Sequence, residues 1–214
     1  MSLAPKFVKL DMPWRIGCDN GSNFIEIAQN GTPTFHGSAK GYEDSQVPPI
    51  TTRVGAVAPT TDNDFRGDGN YKSVNFVHTQ ADEVQFQIQL PHSYDGRFLY
   101  PHVHFSTYTA LGAGTYAAQF ILEYYVAPIN DQFPATPATY TMTKTWTAEK
   151  RYYHFIAAGT APLDATLWGL STILYCRLYR DNGVANNFGG KVTLLGFDIH
   201  YVIDSIGSRQ EYIK

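Results

Sequence analysis

The chain has 214 residues, enough for one large domain with a substantial core and few for two. Charged residues make up only 16% and aromatic residues 14%, mostly tyrosine and phenylalanine, a balance that favours β structure and large packed or shared surfaces. The net charge of −3 comes without a basic run, which argues against direct binding to nucleic acid. No charged-then-apolar leader opens the chain and no apolar run approaches the ~20 residues of a membrane helix, so the expectation is a soluble protein made in the cytoplasm, with no membrane partner.

Residues 1–22, punctuated by Pro5, Pro13, Gly17 and Asn20-Gly21, read as an N-terminal arm without a core period. Phe24 to Ala28 is a short strand, Asn30-Gly31 a tight turn and Thr32 to Gly37 the returning strand, together a small hairpin. Residues 41–69 read as a long irregular loop, broken by Pro48-Pro49, Pro59, Gly67 and Gly69. Within it Val47 to Val54 is an extended, proline-rich segment that fits either a neighbour's surface or the surface of its own domain.

The β pattern is strongest beyond that loop. Val74, Phe76 and His78 alternate with Asn75 and Val77, and Val84 to Leu90 alternates apolar residues with glutamine until Pro91 ends it. Further strands are expected at Tyr100 to Thr109, Tyr116 to Val126, Thr139 to Thr147, Tyr152 to Ala157, Leu170 to Tyr179 and Lys191 to Ile203. Gly112 to Gly114, residues 127–138 and residues 181–190 are the turns and loops between them. No amphipathic helix longer than two turns is visible. The fold class is therefore all-β, a β-sandwich of the jelly-roll kind, with an arm at 1–22 and one domain over 23–214.

The chemistry centres on Tyr100-Pro-His-Val-His-Phe105. On a strand His102 and His104 share one face, and Val103 and Phe105 share the other. The apolar pair is the natural inward set, which turns the histidines outward or towards an interface. Three readings follow. One is a cupin-like metal site inside a barrel, drawing also on His92, His154, His200 and Asp198, although the glycine and glutamate companions of such a site are missing. Another is a transition-metal ion at a threefold axis, where three copies of the His102–His104 pair would supply an octahedral set. In the third, both histidines simply hydrogen-bond backbone or loop groups. Asp198 and His200 are likewise two apart on one strand face.

Other chemistry has little support. No G-x-S-x-G elbow or phosphate-binding glycine loop is present. Cys18 and Cys176 form no CxxC pair and read as buried free thiols. Arg177 and Arg180-Asp181 mark the end of a strand, with a buried Arg–Asp pair or an intersubunit salt bridge as the two readings.

Several motifs occur in order: Gln89-Leu-Pro-His-Ser-Tyr94, Leu99-Tyr-Pro-His-Val-His-Phe105, Cys176-Arg-Leu-Tyr-Arg-Asp181, Phe197-Asp-Ile-His-Tyr201 and the terminal Gly207-Ser-Arg-Gln-Glu-Tyr-Ile-Lys214. With Phe24 to Gly31, Gly37-Ser-Ala39 and Val47 to Ile50, this ordered set resembles a family of tailed-bacteriophage structural proteins over residues 20–214. Members often carry Trp where this chain has Phe105. The resemblance implies a virion-associated structural role without catalysis, the chain not being an enzyme. Its first form is a homotrimeric capsid decoration (cement) protein, whose partners are copies of itself and the major capsid protein. No cofactor is expected beyond an ion at the symmetry axis on His102 and His104. The residues expected at interfaces are Val47, Pro48, Pro49, Ile50 and Arg53 in the loop, and Arg209, Glu211 and Tyr212 in the tail. The alternatives are a tail, fibre or receptor-binding module for carbohydrate, with Trp14, Trp146 and Trp168 as the aromatics to examine, and a cupin-like metal protein.

Overall fold

A computed structural model describes residues 12–17, 21–62, 72–107, 109–147 and 150–207. A small antiparallel sheet is formed by β1 (Trp14–Gly17), β2 (Phe24–Ile27) and β3 (Pro33–His36). The main body contains β4 (Gly41–Val47), β5 (Arg53–Val54), β6 (Thr60–Asp62), β7 (Ser73–Phe76), β8 (Glu83–Gln89) and β9 (Tyr94–Thr107). It continues with β10 (Thr115–Ala127), β11 (Ala138–Thr147), β12 (His154–Ala158), β13 (Leu163–Asp164), β14 (Ile173–Asp181) and β15 (Val192–Ile203). Two short 3-10 turns, Gly37–Ala39 and Pro49–Thr51, are the only helical pieces among the described residues.

The main body is an antiparallel β-sandwich, as the alternation of the strands requires. One layer runs β15–β9–β12, with β4 and β7 sharing the free edge of β15, β6 beyond β7, and β13 on β9. The other runs β11–β10–β14–β8–β5. A single residue pair, Thr143 with Ala158, joins the layers between β11 and β12. The outer edges are short or acidic: β5 has two residues, β6 has three, and β4 carries Glu43 and Asp44.

Period-two patterning decides what is inside. Val84, Phe86, Ile88 and Leu90 are buried while Gln87 and Gln89 face water, as the Val84 to Leu90 alternation predicts. Aromatic pairs then bridge the layers: Phe105 to Phe120 with ring centroids 5.4 Å apart, Phe86 to Phe197 at 4.9 Å and Phe76 to Phe120 at 5.9 Å.

β15 could not serve this core with unbroken alternation. Val192 and Leu194 are buried, and so are Phe197, Ile199 and Tyr201, which have the opposite parity. The register against β9 slips at this point: Leu194 lies opposite Phe105 and Gly196 opposite His104, leaving Leu195 as an extra residue. This β-bulge restores the apolar set to the core and sends Gly196, Asp198 and His200 to the outer face.

Three segments differ from the sequence reading. Residues 14–17 of the expected arm form β1 against β2, although every side chain of that strand is exposed. The expected loop at 41–69 contains β4, β5 and β6. β4 escapes a hydrophobic-pattern reading because Gly41–Val47 is a polar edge strand, with only Val47 buried. β9 starts at Tyr94, well before Tyr100, through a polar stretch in which Gly96 takes a φ of 81°.

The expected Arg180–Asp181 pair does not form. Arg180 is fully buried, and its guanidinium donates to the carbonyls of Phe76 at 3.2 Å, Gly190 at 2.9 Å and Phe188, and to Asn187 Oδ1 at 2.8 Å. Burial lowers its pKa to about 10, a shift that Asp82 opposes, and the group stays cationic at neutral pH. Arg177 pairs within the chain, with Glu123 at 2.8 Å and with Glu83. Arg180→Ala would leave buried carbonyls without donors, at about 1–3 kcal/mol each. Urea unfolding should show a loss of at least about 3 kcal/mol. A change below about 1 kcal/mol would mean that water replaces the guanidinium.

Candidate functional site

The outer face of the β4–β15–β9–β12 layer gathers the titratable residues. From β9 come Tyr100, His102 and His104, and from β15 Gly196, Asp198 and His200. β12 adds His154 and Ile156, and β4 adds Tyr42, Asp44 and Gln46. Strand register makes them neighbours: His102 is opposite Asp198, Tyr100 opposite His200, and His200 opposite Asp44.

Asp198 is the hub and is only 5% exposed. His104 Nε2–H donates to its Oδ2 at 3.0 Å. His200 Nε2 lies 3.3 Å from the same oxygen and 3.2 Å from Asp44 Oδ1. Since a carboxylate only accepts, His104 carries its proton on Nε2. A neutral His104 ring then accepts at Nδ1 from His154 Nε2–H, 2.8 Å away. The other carboxylate oxygen, Asp198 Oδ1, faces His102 Nδ1 at 3.7 Å, and neither of these buried atoms makes a hydrogen bond. The rings of His102 and His200 lie 4.5 Å apart between centroids. Burial pushes the His102 pKa below its ordinary value, helped by the nearby His200 and His104 and opposed by Asp198 and Asp44, so His102 is neutral at pH 7.

A shallow groove of about 400 Å³ opens beside this cluster, bordered by Gln46, Pro48, His104, His154 and Leu195. Gly196 keeps it open. A Cβ there would meet nothing nearer than the Val47 carbonyl oxygen at 4.0 Å, so His104 faces no side chain across the strand pair.

The sequence-derived candidates divide clearly. His102, His104, His154, His200 and Asp198 converge, but on the outside of the sandwich, because the interior is filled by Val103, Phe105 and their partners. The cupin-like arrangement inside a barrel is thereby corrected. His102 and His104 do not act as a matched pair either: His104 is engaged by Asp198 and His154, and His102 is grouped with Asp198 and His200. His92 bonds Ser171 Oγ at 3.2 Å. Of the expected interface residues, Val47 is buried and packs in the core, whereas Pro48, Ile50 and Arg53 are exposed and Pro49 is half-buried. Arg209, Glu211 and Tyr212, like Cys18, lie outside the described residues. Trp146 is buried against Phe105 and Phe155 and offers no exposed stacking surface; Trp168 is half-buried with an edge contact to Tyr124, and Trp14 is exposed. Cys176 is a buried thiol with its pKa pushed up to about 12 by burial. Asp44 was missed because its strand had been read as loop, and the Tyr42, Asp44, Gln46 alternation is the signal that could have found it.

No family model and no curated protein matches the chain. Among solved structures it is similar to a CBM35 module from Cellvibrio japonicus Abf62, at 9% identity over 78% of this chain and 100% of that one, with a TM-score of 0.42. It is also similar to the CBM22-1–GH10 modules of a Clostridium thermocellum xylanase complexed with xylohexaose. That match has 13% identity and a TM-score of 0.34, and covers 81% of this chain but only 27% of that one. A third is the mannan-recognising carbohydrate-binding module TmCBM27, at 8% identity over 75% of this chain and 88% of that one, with a TM-score of 0.28. At these identities and TM-scores the likeness carries no functional argument.

The hub geometry sets an order of effects. Asp198→Ala removes the acceptor of two imidazoles and should cost about 1.5–3 kcal/mol. His154→Ala, at the exposed end of the chain of bonds, should cost less than about 1 kcal/mol. Urea unfolding at neutral pH of the two variants checks this, and the reverse order would mean that Asp198 is not the hub.

Proposed function

We propose that the protein is a non-catalytic component of a tailed-phage particle, a β-sandwich that works by binding copies of itself and a neighbouring virion protein, with capsid decoration as its first role. The observation that carries this reading is where the shared motifs fall. Leu99 to Val103 and Phe197 to Tyr201 are antiparallel partners on β9 and β15, and Arg177 and Arg180 of a third motif brace the opposite layer and the 187–190 turn. The motif residues build a framework and one open face; they do not line an enclosed cavity. From the edge of that face the chain crosses to β5 of the other layer, and along this crossing Ile50 is 93% exposed and Val54 61%, apolar side chains suited to burial against a neighbour.

A second reading is favoured by a groove on the other layer, where Thr51, Arg53, Gln85 and Gln87 surround the half-exposed ring of Tyr175. An aromatic face flanked by amide and guanidinium donors has the chemistry to take a sugar ring, as a receptor-binding module of a tail would.

Light scattering of the purified chain, with mass spectrometry of particles of the phage that encodes it, tests the first reading. A trimer whose peptides occur in the particle supports it, and a monomer absent from particles overturns it. Binding on a glycan array that Tyr175→Ala abolishes would establish the second reading.

A further inference from the structure

We propose that His102, Asp198 and His200 form a site for one divalent transition-metal ion per chain, of the zinc, nickel or cobalt class.

The first observation is the pair of buried polar atoms that face each other without a hydrogen bond. His102 Nδ1 and Asp198 Oδ1 are 3.7 Å apart, too far to bond and too well aimed to ignore. Two such atoms left unsatisfied are costly, and buried polar atoms in folded proteins nearly always have a partner. An ion accounts for both: ligand atoms at ~2.0–2.1 Å from a tetrahedral centre lie roughly 3.3–3.5 Å from one another. The second observation is the third donor. His200 offers a ring nitrogen such that all three ligand atoms lie within 4.8 Å of one another. A bound ion would displace the proton on the ligating nitrogen of His200, whose Nε2 lies 3.3 Å from Asp198 Oδ2 and 3.2 Å from Asp44 Oδ1.

The surroundings suit ligation. All three ligands stand on β9 and β15, adjacent strands whose backbone positions are fixed by pairing. His104 holds the far oxygen of Asp198, and His154 fixes the tautomer of His104, so the carboxylate is oriented before an ion arrives. Two imidazoles with one carboxylate select borderline transition ions over magnesium or calcium, which prefer all-oxygen sets. Three protein ligands leave a coordination position open on an exposed face. This donor set comes from one chain and needs no symmetry axis, so it stands whether or not the protein belongs to a virion.

The test uses the full-length, untagged chain, stripped with chelator and titrated with cobalt(II) chloride and then zinc chloride. The expected result is a visible d–d absorption that saturates at one cobalt per chain and is displaced by zinc. His102→Ala and His200→Ala should each weaken affinity by at least about 100-fold, and His104→Ala by about 10-fold, the scale for a residue that orients a ligand. His78→Ala, an exposed histidine away from the cluster, should leave affinity unchanged. X-ray absorption of the zinc-loaded wild type, which depends on no variant, should show two imidazoles and an oxygen at about 2.0 Å. No saturation at millimolar metal, one ion per three chains, or unchanged affinity in His102→Ala would each overturn the assignment.

Discussion

The pairing of β9 with β15, with the bulge at Leu195, is the constraint on which the molecule depends. β9 alone would settle which face carries His102 and His104, since Val103 and Phe105 must be buried. It could not bring a carboxylate to them. That requires β15 to lie in register, and the register works only because Leu195 is skipped. Upstream of the bulge the even-numbered residues Val192 and Leu194 fill the core; downstream the odd-numbered Phe197, Ile199 and Tyr201 do. A strict two-residue period would have buried Asp198 and His200 and exposed three large apolar side chains. One extra residue therefore separates a packed interior from a polar face built of the same two strands.

Much of this could be read from the residues, and what could not was non-local. The glutamine alternation of β8, the outward turn of His102 and His104, and the shared face of Asp198 and His200 follow from period-two geometry over a few residues. That β15 pairs with β9 does not, because nothing in either segment states which other strand it prefers. β4 was hidden for a different reason: an edge strand exposed on both sides has no apolar stripe to show. Arg180 was placed correctly at a strand end but given the wrong partner. Its neighbour in sequence, Asp181, instead accepts from the Gly183 amide at 2.9 Å, while the guanidinium turns inward to carbonyls contributed by the end of β7 and the 188–190 turn.

Arg180 and Asp198 illustrate how a chain with few charges uses them. Each is withdrawn from water and each is surrounded by several weaker polar partners, carbonyl dipoles in one case and imidazoles in the other. The cation closes the end of the sandwich, and the anion organises its outer face. The two lie on different layers, which are joined in the core by the packed rings of Phe76, Phe105, Phe120 and Phe197.

The rims of the two layers bear on how the molecule meets others. An unpaired strand with a long run of free amides and carbonyls invites another chain to extend the sheet, and repetition of that contact gives fibres. Here β5 and β6 are too brief to act as templates, and β4 presents Glu43 and Asp44 to any incoming strand. Growth through the backbone is thus discouraged on these rims, and recognition falls to side chains on the broad faces.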